Sequence, residues 1–201
     1  MSNSYNRCYP YAEGKGKDRY DDNETYTNNG NDSCSFPKHP QPKKILLECG
    51  TNPQDAIFEI DDEQVEENQY FVLDSVIVDT TCLNRPLVKI EFSSLVVFEA
   101  ETGDGEEREI EVELLFELIR NCNGEKDCIQ SWRYLKEFEV ENDELEVEIS
   151  EPFTVTFCDR ACPGCCEYKM IVKGKDFEGE FETLRVVKPD LSALAQGICD
   201  D

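Results

Sequence analysis

The chain has 201 residues, enough for one β domain with a core and extended ends but too few for two large domains. Its 45 Asp and Glu against 20 Lys and Arg give a formal net charge of −25. Such an acidic surface repels nucleic-acid phosphates and anionic lipids, so we expect no nucleic acid and no membrane among its partners. No apolar run reaches the roughly 18 residues of a membrane span.

Residues 1–42 are rich in Asn, Asp, Ser, Tyr, Gly and Pro, with almost no aliphatic residues. This composition predicts a flexible N-terminal connector arm, stiffened by the prolines of residues 37–42. The single histidine, His39, lies between two of these prolines. No Ser-His-Asp or Cys-His pair can therefore be built into a core, and we expect no enzyme activity and no catalytic residues.

From Lys43 onward the apolar residues recur with period two, which is typical of strands. The clearest run is 110–118, where Ile, Val, Leu and Phe alternate with Glu. Other strands are predicted at 45–49, 70–79, 87–98, 145–149, 153–157, 168–172 and 177–187. Eight or more regularly spaced strands predict an all-β fold, a two-sheet antiparallel β-sandwich of jelly-roll type with an extended N-terminal arm.

The region after Pro189 predicts one helical turn. Asp190 is a suitable cap, and Leu191, Leu194 and Ala195 would share one side of the turn. The expected domains are therefore an arm at 1–42, a β-sandwich at 43–189 and a C-terminal tail at 190–201.

Eleven cysteines are too many for an ordinary cytosolic protein of this size unless they bind metal or do redox chemistry. Their odd number leaves at least one without an internal partner, which suggests a bond to another chain in an oxidising setting. The first residues lack the apolar stretch of a signal peptide. We therefore expect synthesis in a cytoplasm that later lyses, as in a sporulating mother cell.

The positions of the cysteines divide them into two groups. Those on the arm or tail can reach a neighbouring subunit, and one of the adjacent pair Cys165 and Cys166 points outward because neighbouring strand residues face opposite sides. Cys122 and Cys128 flank a hairpin that they could close, and Cys49 and Cys82 lie at strand ends where bonds between sheets are feasible. The predicted inter-subunit disulfide candidates are Cys8, Cys34, Cys199 and Cys166. The predicted intra-domain candidates are Cys49, Cys82, Cys122, Cys128, Cys158, Cys162 and Cys165.

Metal binding is an alternative use of the same thiols. Cys158, Cys162 and Cys165 have the C-x3-C-x2-C spacing of radical enzymes with a four-iron cluster, but the chain lacks their βα alternation. A zinc site would use Cys162-x2-Cys165, for which Cys122-x5-Cys128 is too wide a second half. The acidic segments 61–63 and 102–106 do not fit an EF-hand loop. We therefore expect no metal and no cofactor.

Several segments together resemble an uncharacterised domain family of anaerobic spore-forming Clostridia, over roughly residues 43–195. They are Lys44–Gly50, Asp79–Pro86, Ile90–Ser94 and the run Cys158-x3-Cys162-Pro163-Gly164-Cys165-Cys166. The layout is also similar to the endospore appendage (Ena-type) pilins of bacilli. That resemblance implies jelly-roll subunits whose connector cysteines staple one subunit to the next in resistant fibres, with Cys8 and Cys34 as connector thiols.

The expected function is a structural, self-assembling fibre subunit, linked through strand addition by the arm and through disulfides. The expected location is the spore surface or an extracellular appendage. Its partners would be copies of itself and an anchor protein of the spore coat or exosporium. The alternatives are a monomeric β-sandwich module that binds carbohydrate or calcium, and a cysteine-ligated metal protein.

Overall fold

The computed structural model describes residues 43–198, apart from 62, 67–68, 103–108, 140–144 and 162. The arm predicted at 1–42 and the cysteines Cys8, Cys34, Cys162 and Cys199 lie outside the described residues. Their predicted roles therefore remain predictions.

Strands make up most of the described chain. They are β1 (Lys43–Cys49), β2 (Ala56–Ile57), β3 (Ile60–Asp61), β4 (Gln64–Val65), β5 (Tyr70–Asp79), β6 (Asn84–Glu101), β7 (Glu109–Cys122), β8 (Glu125–Glu139), β9 (Glu146–Asp159), β10 (Cys165–Glu178) and β11 (Glu180–Ile198). Within these described ranges, the chain has no helix with the length and apolarity needed to cross a membrane.

The long strands form two antiparallel sheets that pack as a sandwich. The first sheet has the order β1-β11-β6-β9, with β2 also paired to β11, and the second has the order β5-β10-β7-β8. The short strands β3 and β4 form a separate hairpin. The all-β antiparallel sandwich predicted from the period-two pattern is therefore confirmed.

The pairing of the eight long strands is nested. The first pairs with the last, β1 with β11, and the successive inner pairs are β5 with β10, β6 with β9 and β7 with β8. Two further pairings, β11 with β6 and β10 with β7, join this folded ribbon into the two sheets. The chain therefore crosses between sheets at almost every connection, and the strand ends gather at the two ends of the sandwich.

The core lies between the sheets and is built by strict alternation. In β7 the even-numbered residues from Ile110 to Leu118 are buried, while the glutamates between them face outward. An aromatic cluster fills the centre, with Phe116 stacked on Phe153 at 3.9 Å between ring centroids and Phe92 packed beside both. Period two thus separates an apolar inner face from an acidic outer face on this strand.

The helical turn predicted after Pro189 is wrong, because β11 continues through it to Ile198. Lys188 has a φ of 53°, and the register with β6 shifts between Val187 and Asp190. This bulge accommodates a proline in a central strand, where its missing N–H would otherwise break the ladder. Residues 190–198 therefore belong to the first sheet and not to a separate tail.

The burial pattern beyond the bulge shows the same thing. Leu191, Ala193 and Ala195 are buried, whereas Leu194 is exposed. Burial of every second residue is the pattern of a strand with one face toward the core. The helical grouping of Leu191 with Leu194 and Ala195 is therefore incorrect.

Other boundaries also differ from the prediction. The segments predicted at 145–149 and 153–157 are one edge strand, β9, in which Pro152 is tolerated because an edge strand has one unpaired side. The segment predicted at 177–187 is divided at Gly179, whose φ of 107° favours glycine. The edge strand β8 was not predicted, although Trp132, Tyr134 and Phe138 alternate along it.

One buried carboxylate connects the two sheets. Asp74 on β5 is 2% exposed and accepts hydrogen bonds from the backbone N–H groups of Asn52, Ser75 and Leu191, at 3.1, 2.7 and 3.2 Å. Gly50 lies against it so closely that a Cβ there would be 1.8 Å from Asp74 Oδ2. The glycine that follows β1 therefore leaves room for the carboxylate between the sheets.

Candidate functional site at the cysteine end

One end of the sandwich collects most of the described cysteines. β1 begins there opposite the end of β11, because Lys43 pairs with Ile198, and β6 begins there too, because Asn84 also pairs with Ile198. The turn between β5 and β6, the β7–β8 hairpin and the loop between β9 and β10 complete this end. We call it the cysteine end; it carries Cys82, Cys122, Cys158, Cys165 and Cys166, with Cys128 a few residues along β8.

Two of its loops are joined by hydrogen bonds. Thr80, in the β5–β6 turn, donates from its backbone N–H and its hydroxyl to the carbonyl oxygen of Gly164, at 2.8 and 3.0 Å. The N–H of Gly164 donates back to the Thr80 hydroxyl at 3.2 Å. Two segments that carry the family resemblance, 79–86 and 158–166, are thereby held against each other.

A disulfide joins Cys122 on β7 to Cys166 on β10, directly across the strand pair. Cys166 is 1% exposed, so its assignment to a bond between subunits is wrong and it closes the core instead. The sequence separation of 44 between the two cysteines corresponds to roughly 4 kcal/mol of stabilisation by loop-closure entropy. Cys122 does not bond to Cys128, which lies three positions from the hairpin opposite the outward-facing Ile119.

Beside the disulfide, a charged network links the sheets. Asp159 on β9 accepts two hydrogen bonds from Arg120 Nη1 on β7, at 3.0 and 3.1 Å, and one from the hydroxyl of Tyr168 on β10 at 2.9 Å. Burial opposes the charge of Arg120, but the neighbouring Asp159 outweighs it and raises the pKa of the guanidinium. Burial, and then Asp159, raise the pKa of Tyr168. This end of the sandwich is thus held together by the Cys122–Cys166 disulfide, the Arg120–Asp159 ion pair and the hydrogen bond from Tyr168.

Five of the described cysteines are unpaired and exposed: Cys49, Cys82, Cys128, Cys158 and Cys165. The structure does not place any of them in the intra-domain disulfides assigned from the sequence. Cys49 and Cys158 lie on the outer face of the first sheet, and Cys128 and Cys165 on that of the second, by strand alternation. Since the outer faces point in opposite directions, these thiols are available to more than one neighbour.

Cys49 and Cys82, two of the intra-domain candidates, are too far apart to bond to each other. Cys49 pairs with Ser192, whereas the turn holding Cys82 precedes Asn84, which pairs with Ile198. Six residues of strand separate these positions, or about 20 Å at roughly 3.3 Å per residue, against the 4.4–6.8 Å between Cα atoms that a disulfide needs. Cys82 instead accepts a hydrogen bond from Lys44 Nζ at 3.0 Å, at the point where the arm joins β1.

The thiols do not converge on a metal site in the part of the chain that the structure describes. The one set of three possible ligand atoms within 4.8 Å of one another there is that of Glu109, Glu137 and Glu139, at the opposite end of the second sheet. Burial, together with facing carboxylates, raises the pKa of Glu109 and of Glu111. This cluster follows from outward-facing glutamates that pair directly across β7 and β8.

The sequence did not single out the charged network or the lysine beside Cys82. Asp159 lies inside the cysteine motif, and Arg120 and Tyr168 occupy positions on strands that otherwise bury apolar side chains. A basic residue at an inward position is a usable signal, because a buried charge needs a partner. The partner was unidentifiable because it lies on the other sheet.

A family model described as "Domain of unknown function (DUF4489)" matches residues 43–196, more than half of the chain. No curated protein matches this chain. A solved structure with similarity is "Structure of infectious bursal disease virus Gx strain", at 10% identity and a TM-score of 0.30, where the match covers 79% of this chain and 37% of that chain. A TM-score this low supports no argument about fold or function.

Proposed function

We propose that this chain, which belongs to the DUF4489 family of domains of unknown function, is a structural subunit that joins head to tail with copies of itself into a disulfide-linked fibre. The proposed setting is a spore surface or extracellular appendage, reached by assembly in the mother cell. A spore-coat or exosporium protein would anchor the fibre.

The observation that carries the proposal is the placement of the thiols. The buried Cys122–Cys166 pair already closes the domain, while five other described cysteines stay exposed on its surface. These five thiols form no disulfide within the described part of their own domain, and exposed thiols are accessible for exchange with another chain. This division supports one bond within the subunit and several between subunits.

The arm supplies the connection in this proposal. Residues 1–42 contain five basic and six acidic residues, so they carry almost none of the net charge of −25. They also contain five of the eight tyrosines, which favour strand pairing. A nearly neutral segment can approach another acidic domain with less repulsion than a second domain would meet. Cys8 and Cys34 would then bond to exposed thiols of the neighbour.

The finer fold assignment belongs to the same proposal. Numbering only the eight long strands in chain order, the first sheet reads 1-8-3-6 and the second 2-7-4-5. A ribbon of nested antiparallel pairs rolled into two sheets produces this order, and we infer a jelly roll from it. The order also puts the start of β1, which follows residues 1–42 in the chain, at the cysteine end.

Substitution of the arm thiols tests the proposal. The full-length chain, oxidised in air, is expected to give a ladder of multiples of 23.1 kDa on non-reducing gels and fibres in electron micrographs. Both should disappear with reductant and in the double variant Cys8→Ser/Cys34→Ser. The matched control, Ser33→Ala/Ser35→Ala, keeps both arm thiols and should behave as the wild type.

Two outcomes would contradict the proposal. If the Cys8→Ser/Cys34→Ser variant forms the same ladder and fibres, the arm thiols are not the links. If the wild type stays monomeric under oxidising conditions and binds a carbohydrate or calcium saturably, the binding-module alternative replaces the fibre. Iron or zinc in stoichiometric amounts, in protein purified without oxygen, would favour the metal-protein alternative.

A further inference from the structure

The outer face of the first sheet is unusually apolar for a surface. Large apolar side chains project from four of its strands, and they are well exposed: Ile45 and Leu47 on β1 at 60% and 67%, Ile57 on β2 at 66%, Leu87 on β6 at 43% and Leu194 on β11 at 38%. Strand register places them on one side, because Leu47 pairs with Leu194 and Ile45 with Gln196, which pairs with Leu87. We call this surface, with the partly exposed Leu95, Val97 and Val187 between those positions, the neutral face.

The charge on the neutral face is balanced in a chain that is otherwise strongly acidic. Between the row of Leu87 and the row of Val97, strand alternation directs two cations and two anions outward: Lys89, Arg185, Glu91 and Asp190. The exposed Lys188 at the bulge, whose N–H donates to the carboxylate of the exposed Asp55, adds one charge of each sign in the same rows. The acidic pairs of this sheet, Glu99 with Glu148 and Glu101 with Glu146, lie beyond that area. The face therefore combines exposed apolar area with no net charge.

The second sheet also exposes apolar side chains, Tyr70, Val72, Ile77 and Leu135, but its outer face is acidic. Its outward residues include Glu109, Glu111, Glu137 and Glu139, which face one another across β7 and β8, and the nearby Glu178 on β10. Two copies of this surface would repel each other, since like charges directly opposite are destabilising. The two sides of the sandwich are thus suited to different neighbours, and the neutral face is suited to a copy of itself.

A contact between identical faces must be self-complementary. Equal numbers of both charges satisfy this condition, because rotation by 180° can bring the cations of one copy toward the anions of the other. The available area is also adequate. Four strands about 4.8 Å apart and about 33 Å long give roughly 600 Å² of flat projection, close to the roughly 800 Å² per partner of a standard interface.

We infer that the neutral face is a docking surface for the neutral face of a second copy of this chain, forming a two-fold, face-to-face pair. This contact goes beyond the proposed fibre because it needs neither the arm nor a disulfide. It covers Ile45, Leu47, Leu87 and Leu194 together with Cys49 and Cys158, so bonds between subunits would then use the other exposed thiols, Cys82, Cys128 and Cys165. In a fibre it would bind two strings of subunits side by side.

Sedimentation of the full-length chain in reductant tests the inference, because reductant removes every disulfide between subunits and leaves only non-covalent contacts. We expect a dimer at micromolar concentrations. Leu47→Glu and Leu194→Glu should each raise the dissociation constant at least tenfold, because each places a charge among the apolar side chains of the contact. The matched control, Ile77→Glu, changes a 53%-exposed residue on the outer face of the second sheet and should change the constant less than twofold.

Salt provides a second readout. Each copy carries a net charge of −25, so raising the ionic strength should screen the repulsion and tighten the dimer.

The three substituted residues, Leu47, Leu194 and Ile77, are all on the surface. Melting curves should therefore show that each variant is folded. A dimer in reductant without any ladder under oxidising conditions would support this inference while contradicting the proposed fibre. A ladder under oxidising conditions from a chain that is monomeric in reductant would support the fibre and contradict this inference.

Three outcomes would overturn the inference. The wild type stays monomeric in reductant at every concentration and salt tested, or Ile77→Glu weakens the dimer as much as Leu47→Glu does. In the third outcome the chain is monomeric and residues 1–42 resist protease until Leu47→Glu is introduced. That result would assign the neutral face to the chain's own arm.

Discussion

At Gly50 the absence of a side chain has a specific structural use. Asp74 fills the space that a Cβ would take, and its carboxylate accepts three backbone N–H groups from separate parts of the chain. Such a group is stable when buried only if its hydrogen bonds are kept. A glycine at this position therefore serves packing between the sheets.

We expect Gly50→Ala to reduce the free energy of unfolding by about 3 kcal/mol, since the new methyl group must displace Asp74 and weaken its hydrogen bonds. Urea denaturation followed by fluorescence of Trp132 would measure the change. The neighbouring exposed substitution Thr51→Ala is the control and should cost less than about 0.5 kcal/mol. Equal effects from both substitutions would mean that the space beside Asp74 is not critical.

The charged network at the cysteine end supports a second prediction at this scale. Asp159→Asn keeps the size of the side chain but leaves Arg120 with a weaker partner inside the sandwich. We expect a loss of about 2 kcal/mol in the free energy of unfolding. Asp127, which lies 3.6 Å from Arg120 and is 59% exposed, provides the control. Asp127→Asn should cost less than about 0.5 kcal/mol, and a larger loss than that of Asp159→Asn would refute the assignment.

Among the elements, the pairing of β7 with its neighbours concentrates negative charge. Glu111 faces Glu137 on β8 and Glu178 on β10, and Glu109 faces Glu139. Burial and these carboxylates raise the pKa of Glu111 above its usual 4.5, so the folded state holds that proton more tightly than the unfolded state does. Ionised Glu111 therefore destabilises the fold above its raised pKa, and the penalty disappears as pH falls toward 4.

Glu111→Gln is accordingly expected to stabilise the protein by about 0.5 kcal/mol at pH 7 and to have no effect near pH 4. Thermal melts of the variant and the wild type across this pH range would show the difference in stability between them falling to zero near pH 4. Glu125→Gln, at the exposed β7–β8 hairpin, is the control and should change stability by less than about 0.5 kcal/mol at pH 7. A gain for Glu111→Gln that persists at pH 4 would exclude charge repulsion as its cause.

β11 shows how an element differs from its sequence signals. Pro189 and Asp190 are typical of a helix start, yet the residues lie in a central strand with β1 on one side and β6 on the other. The bulge at Lys188 means that no N–H is needed from Pro189. Burial of the strand between β1 and β6 then outweighs the preference of these residues for a helix start. The signal at Pro189 and Asp190 therefore marks a bulge within a strand and not the helical turn predicted from it.

For the whole molecule, the important property is that its two outer faces and its two ends differ. One outer face has balanced charge, the other is acidic, and the described thiols concentrate at the end where β1 begins. A subunit with such differences can make distinct contacts in distinct directions. The proposed fibre uses the thiols and arm, and the inferred face-to-face pair uses the neutral face.

The sequence by itself determined the all-β class and much of the strand map, including β5 at Tyr70–Asp79, because the alternation of apolar and polar residues reports directly which side of a strand is buried. Its charge and its cysteine count are also the sequence features on which the proposal of self-association rests. Only the tertiary structure decided that Cys166 bonds to Cys122, that Asp159 meets Arg120, and that Ile45, Leu47, Leu87 and Leu194 share one surface. Each of these depends on which strands lie side by side, and that order arises from contacts between residues distant in the chain, for which a local pattern carries no information.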